Sequence, residues 1–201
     1  MNDLKTTKDA LLSLDSKVFS SKFIMEGTPY VFNNNIDEYL DWKHEISKKL
    51  EIDPRDIVVT GSACLGFSIN PNKNFREFDA QSDIDIGIIS HHYFETAWNE
   101  IRNMQIYNLD YATRNAINDH KQRLIFYGTI GMDKIWHKLS FGAKWNDALT
   151  DLKANYSGKL LGDRDWKFRI YMDNKAFRDY QLISIKTAQN VLLENSIEEE
   201  I

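Results

Sequence analysis

The 201 residues include one cysteine, three prolines and nine glycines. A lone Cys64 excludes an internal disulfide and a multi-cysteine zinc site, and it agrees with a reducing compartment. It reads as a small buried packing residue. No apolar run reaches the roughly 18 to 20 residues of a membrane span. Asp3, Lys5, Lys8 and Asp9 near the start are unlike the apolar stretch of a signal peptide, so the expectation is a cytosolic chain without membrane attachment. An excess of positive charge is also missing. The formal net charge is −5, which gives no sign of broad affinity for duplex nucleic acid. There is no internal repeat, low-complexity tract or Pro/Gly-rich linker.

What is present suffices for one domain over 1–201, since 42% of the residues are apolar. Charge is unevenly spread. Residues 36 to 56 carry seven acids from Asp37 to Asp56, and residues 159 to 178 carry Lys159, Arg164, Lys167, Arg169, Lys175 and Arg178. The first 34 residues read as polar and irregular, except for a short helix over Lys8 to Leu14. Asn35 followed by Glu38 predicts a capped helix over about 36 to 50, with Ile36, Leu40, Lys43, Ile46 and Leu50 in period. Pro54 breaks the chain, and the β-branched run 56–60 predicts a short strand entering a turn at Gly61. Ile84 to Ile89 alternates as a second strand, and Tyr93, Phe94, Ala97, Trp98 and Ile101 give a helix over about 91 to 104.

Beyond that core of 35–104, a helix is expected between 109 and 126, whereas 130 to 163 mixes aromatics with turns and resolves into no element. Residues 166–172 predict a third strand, with Lys167, Arg169 and Tyr171 on one side. Ala176, Tyr180, Ile183, Thr187 and Val191 predict a closing helix over about 174 to 195, followed by a frayed tail over 196–201.

The informative segments are Val59 through Phe67, which contains Gly61-Ser62, and Gln81 through Ile89, which contains Asp83-Ile84-Asp85. Residues at i and i+2 of a strand share a face, so Asp83 and Asp85 present two carboxylates side by side. Their mutual repulsion calls for a cation, and an oxygen-seeking Mg²⁺ or Mn²⁺ fits. Gly61 permits close approach of a phosphate, and Ser62 adds a hydroxyl and an N–H.

Gly-Ser at a strand end followed by Asp-x-Asp on a second strand resembles the DNA polymerase β-like nucleotidyltransferase superfamily. The resemblance covers roughly 36 to 104. It implies an α+β nucleotidyltransferase fold with a small mixed sheet flanked by helices. It also implies Mg²⁺-dependent transfer of a nucleoside monophosphate from a triphosphate, such as ATP, to an acceptor hydroxyl. Asp83 and Asp85 would bind metal, Gly61 and Ser62 would hold the triphosphate, and a third carboxylate on a later strand would complete the site. Strand 166–172 contains no acid, so Asp173, or Asp165 at the other end, is the expected source.

The loop from Ser62 to Asp83 spans 21 positions, longer than in minimal members. Its Lys73 and Arg76 read as phosphate contacts or as ordinary surface charges, and Arg169 as a phosphate clamp or a structural ion pair. His91 and His92 are adjacent on a helix and do not face one another as a zinc pair would. The acceptor is open: a protein side chain, an RNA end, a small molecule or another nucleotide. By analogy, small members of this type belong to bacterial toxin–antitoxin or phage-defence modules, with a possible protein partner. The competing readings are a catalytically inactive nucleotide sensor or binding subunit of the same fold, and a metal-dependent hydrolase.

Overall fold

A computed structural model describes residues 4–156 and 161–198. Helix α1 (Leu4–Ser13) leads into α2 (Ser16–Phe19), which Asp15 caps by accepting from the N–H groups of Lys17 and Val18. The chain continues through a π-helical turn at Ser20–Met25. This N-terminal region is part of the core, because Leu11, Phe19, Phe23, Ile24 and Phe32 are all buried. The expectation of a polar, irregular start is therefore corrected. A π turn does not keep the 3.6-residue period that makes a buried helical face visible in sequence.

Helix α3 (Ile36–Leu50) starts where the sequence places it, with the Asn35 side chain accepting from the Glu38 N–H at 3.2 Å. Its buried face is Tyr39, Trp42, Ile46 and Leu50, while Ile36 and Leu40 are exposed. Strand β1 (Ile57–Thr60) runs into the one-turn helix α4 (Gly61–Leu65), and β2 (Ile84–Ile89) follows the long loop. Next come α5 (His91–Asn103) and α6 (Tyr111–Asp119), the latter continuing as a π turn to Leu124. The segment that the sequence leaves unassigned holds β3 (Thr129–Gly131) and α7 (Gly142–Ala154). Strand β4 (Trp166–Tyr171) and α8 (Asn174–Glu198) complete the described chain. Residues 196–198 continue α8, and the rest of the expected tail lies outside the described residues.

The result is α+β: a small mixed four-stranded sheet, in the order β1-β2-β4-β3, flanked by helices. Strands β1 and β2 are antiparallel, β2 and β4 parallel, and β3 and β4 antiparallel. Alternation gives the sheet two distinct faces. Ile84, Ile86, Ile88, Phe168 and Ile170 are buried on one side, where Trp42 of α3 meets Trp166 edge to face at 5.8 Å. Asp85 and Gly87 share the other side with Lys167 and Arg169, their partners in register. There α8 packs closely: a Cβ on Gly87 would lie 3.1 Å from the rings of Phe177 and Tyr171. The C-terminal half of α8 is tied to the N-terminus by Gln189, whose side-chain amide donates to the carbonyls of Leu11 and Leu14. Cys64 is buried and its Sγ donates to the Phe23 carbonyl; burial pushes the thiol up to about 12, in keeping with packing rather than chemistry.

Candidate active site

The antiparallel register of β1 and β2 places Thr60 opposite Asp85, so the turn at Gly61 lies directly against the Asp85 carboxylate. Gly61 has φ +64°, and a Cβ there would sit 2.5 Å from Asp85 Oδ2. Glycine is required on two counts, the left-handed backbone and the missing side chain. Asp83 lies two residues earlier, at the entry to β2. Its Oδ2 is 2.5 Å from the Lys167 ammonium, in a pair whose side chains are 34% and 44% exposed.

Asp85 has the more perturbed charge. Burial, chiefly, and the neighbouring Asp83 push its carboxyl up to about 6; Lys167 and Arg169 oppose the shift and Asp133 adds to it. The loss of solvation and the neighbouring carboxylate outweigh the two cations. Arg169 projects beside it, stacked over the Tyr180 ring at 4.7 Å, and among the described residues it makes no ion pair with a carboxylate. Of the two readings open for Arg169, the structural ion pair is absent from the described residues.

These groups border a cleft of about 460 Å³ lined by Gly61, Ser62, Lys73, Asp85, Arg169 and Tyr180, among others. Its volume is within the range of small-molecule sites. Beside it, a small polar recess brings Ser62, Lys73 and Arg76 together with Asp83 and Asp85. The long loop delivers these cations because it is anchored at several points. Phe67 bridges Glu77, the Phe78 N–H donates to the Gly66 carbonyl, and the Arg164 guanidinium donates to the carbonyls of Asp79 and Ser82. Arg76 is also 3.6 Å from Asp79, so Lys73 is the freer of the two loop cations.

Asp83, Asp85, Gly61 and Ser62 are thus brought together; Asp173 is not. Asp173 accepts from the Ala176 N–H at 2.7 Å and caps α8. It lies two residues past the end of β4 and six beyond Lys167, the register partner of Asp85, roughly 20 Å along the sheet from the pair. Asp165 is highly exposed and pairs with Lys153 at 3.6 Å. The carboxylate that does reach the cleft is Asp133, just after β3. Lys167, in register with Asp85, occupies the position on β4 from which an acid would face the pair. Asp133 was missed because β3 has only three residues and shows no usable alternation. Lys167 was visible on the cationic side of β4, but not its pairing.

Among the described residues, no three carboxylate, imidazole or thiol groups gather as a metal cage. The donor set fits a different mode, in which one or two carboxylates hold Mg²⁺ and water and phosphate oxygens supply the rest. Asp83 and Asp85 would be those carboxylates, and their convergence on one polar recess beside Ser62 is the observation that fits them to the role. Comparison with protein-family models, curated proteins and solved structures found no match. No described helix is long and apolar enough to cross a membrane.

Proposed function

We propose that the chain is a Mg²⁺-dependent nucleotidyltransferase of the polymerase β-like type. It would move a nucleoside monophosphate from a nucleoside triphosphate to an acceptor hydroxyl. The observation that carries this reading is the apposition of Gly61 and the Asp85 carboxylate, with Asp83 beside it, at the wall of a cleft that also carries Lys73 and Arg169. A glycine turn without side-chain bulk next to paired carboxylates supports the reading, because triphosphate-bound Mg²⁺ is commonly held by one or two carboxylates.

In this reading Ser62, Lys73 and Arg169 hold the phosphates, with Arg169 offering a planar two-donor fork. Tyr180 and Ile183 of α8, which line the same cleft, flank the nucleoside. When bound, Mg²⁺ supplies charge neutralisation and lowers the pKa of the attacking hydroxyl. The acceptor hydroxyl gives up its proton to solvent, its oxygen bonds to the α-phosphorus, the bond to the β-phosphate breaks, and pyrophosphate leaves in line.

Calorimetric titration of each of the four triphosphates, with and without Mg²⁺, tests this on wild type, Asp83→Asn and Asp85→Asn. Mg²⁺-dependent binding of at least one triphosphate that is lost in both variants is the expected result. Failure of every triphosphate to bind refutes it.

The Lys167–Asp83 pair favours one second reading, a nucleotide-binding protein of the same architecture without turnover, because an ammonium already compensates the carboxylate that Mg²⁺ would use. Binding without pyrophosphate release across a panel of hydroxyl acceptors would select it.

A further inference from the structure

A second cleft, of about 370 Å³, opens on the other face of β4 and shares Asp133, Lys167 and Phe168 with the first. Its wall is aromatic and aliphatic: Met132, Trp136, Leu149, Trp166 and Phe168. Strand alternation explains the division. Trp166 and Phe168 project to the α3 face, while Lys167 and Arg169 project to the α8 face with Asp85. The two clefts meet at the sheet end where Asp133 follows β3, whose path is fixed by the Met132 N–H donating to the Phe168 carbonyl at 2.9 Å.

Resting on the nucleotidyltransferase reading, we propose that this second cleft seats the acceptor, and that the acceptor is a small uncharged molecule carrying a hydroxyl on an aromatic ring. Three features select that class. Two indoles with three aliphatic or aromatic neighbours favour a flat apolar body. The lysines at the rim are already paired, Lys153 with Asp165 at 3.6 Å and Lys167 with Asp83 at 2.5 Å. A polyanion would therefore gain little from these lysines and would face the Asp133 carboxylate. Finally, Lys167 and Asp133, which line both clefts, also adjoin the Asp83–Asp85 pair, so a hydroxyl at the inner end points toward the triphosphate cleft. Transfer joins the hydroxyl oxygen to the α-phosphorus and releases pyrophosphate, and the hydroxyl proton passes to Asp133 and from there to solvent.

The test uses 2-naphthol as probe on the whole chain, read by the indole N–H resonances of the five tryptophans. At millimolar probe, the Trp136 and Trp166 signals shift, those of the core residues Trp42 and Trp145 do not, and Thr150→Phe, which fills the rim of the cleft, weakens the effect at least tenfold. With the triphosphate that binds, a naphthyl nucleoside monophosphate accumulates, and Thr150→Phe raises KM for naphthol without weakening triphosphate binding. The inference is overturned if Trp136 and Trp166 do not respond, or if their response survives Thr150→Phe unchanged. Naphthol binding without triphosphate binding would sink the transferase reading while leaving the second cleft as a ligand site. Triphosphate binding without an indole response sinks the acceptor assignment alone.

Discussion

The Lys167 ammonium lies 2.5 Å from Asp83 Oδ2, so the lysine competes with any cation for that carboxylate. The pair is substantially exposed and contributes at most about 1 kcal/mol. Lys167→Ala should therefore raise Mg²⁺ affinity in the absence of nucleotide by no more than roughly fivefold. Calorimetric Mg²⁺ titration checks this. A weakened Mg²⁺ affinity in the variant would show that the lysine supports the site.

Gly61 is expected to be more sensitive in function than in stability. Gly61→Ala costs about 1–2 kcal/mol for the left-handed backbone. The new methyl meets Asp85 Oδ2, the end of a side chain, rather than backbone. Thermal denaturation should show a modest fall, while Mg²⁺-dependent triphosphate binding disappears. Retained binding would mean that Asp85 need not lie against the turn.

The raised Asp85 carboxyl gives a signed pH dependence. Its folded value, about 6, exceeds the value of about 3.9 for an unfolded aspartate. Between these two pH values the native state binds more protons, so stability falls as pH rises through the window. Asp85→Asn should remove this slope and stabilise the metal-free protein at pH 7 by up to roughly 3 kcal/mol. In wild type, Mg²⁺ affinity should fall as pH drops below about 6, where the carboxyl is protonated. Denaturant titrations at pH 4.5 and 7, with Mg²⁺ titrations at pH 5 and 7.5, measure both effects.

Asp173 and Asp133 should separate cleanly. Asp173→Ala loses the α8 cap and about 1 kcal/mol of stability and leaves triphosphate binding unchanged. Asp133→Asn leaves stability nearly unchanged and slows transfer. Parallel unfolding and pyrophosphate-release assays distinguish them, and the reverse pattern would reinstate Asp173.

Arg169→Ala should weaken triphosphate binding about 10- to 100-fold, the worth of a charge-assisted hydrogen bond. Its stacking on Tyr180 makes Arg169→Lys an incomplete rescue, since an ammonium cannot stack or grip two phosphate oxygens in plane. Calorimetry on both variants decides this; equal affinity in wild type and Arg169→Ala would remove the arginine from the site.

Local chemistry made half of this legible. The Asn35 cap, the β-branched run into Gly61 and the alternation of 84–89 each act within a few residues, and the elements form where those signals place them. Features set by distant pairing were not readable. The Lys167–Asp83 contact depends on the parallel register of strands far apart in sequence, and Asp133 depends on a three-residue strand. Helix α8 shows how a period can mislead. Its expected stripe includes Tyr180, Ile183 and Thr187, which line the first cleft, while the core takes Phe177, Leu182, Ile185 and Ala188. A regular apolar face announces a surface that meets something, and here part of it meets the cleft instead of the core.

The central claim is that Asp83 and Asp85 hold a divalent cation against the Gly61 turn when a triphosphate is present. Paramagnetic broadening of backbone amide resonances by substoichiometric Mn²⁺ with the bound triphosphate tests it most directly. Selective loss of the Gly61, Ser62, Ile84 and Asp85 signals is expected, with those near Asp173 unaffected and the effect abolished in Asp83→Asn. Broadening centred on Asp173, or none at the Gly61 turn, would contradict it.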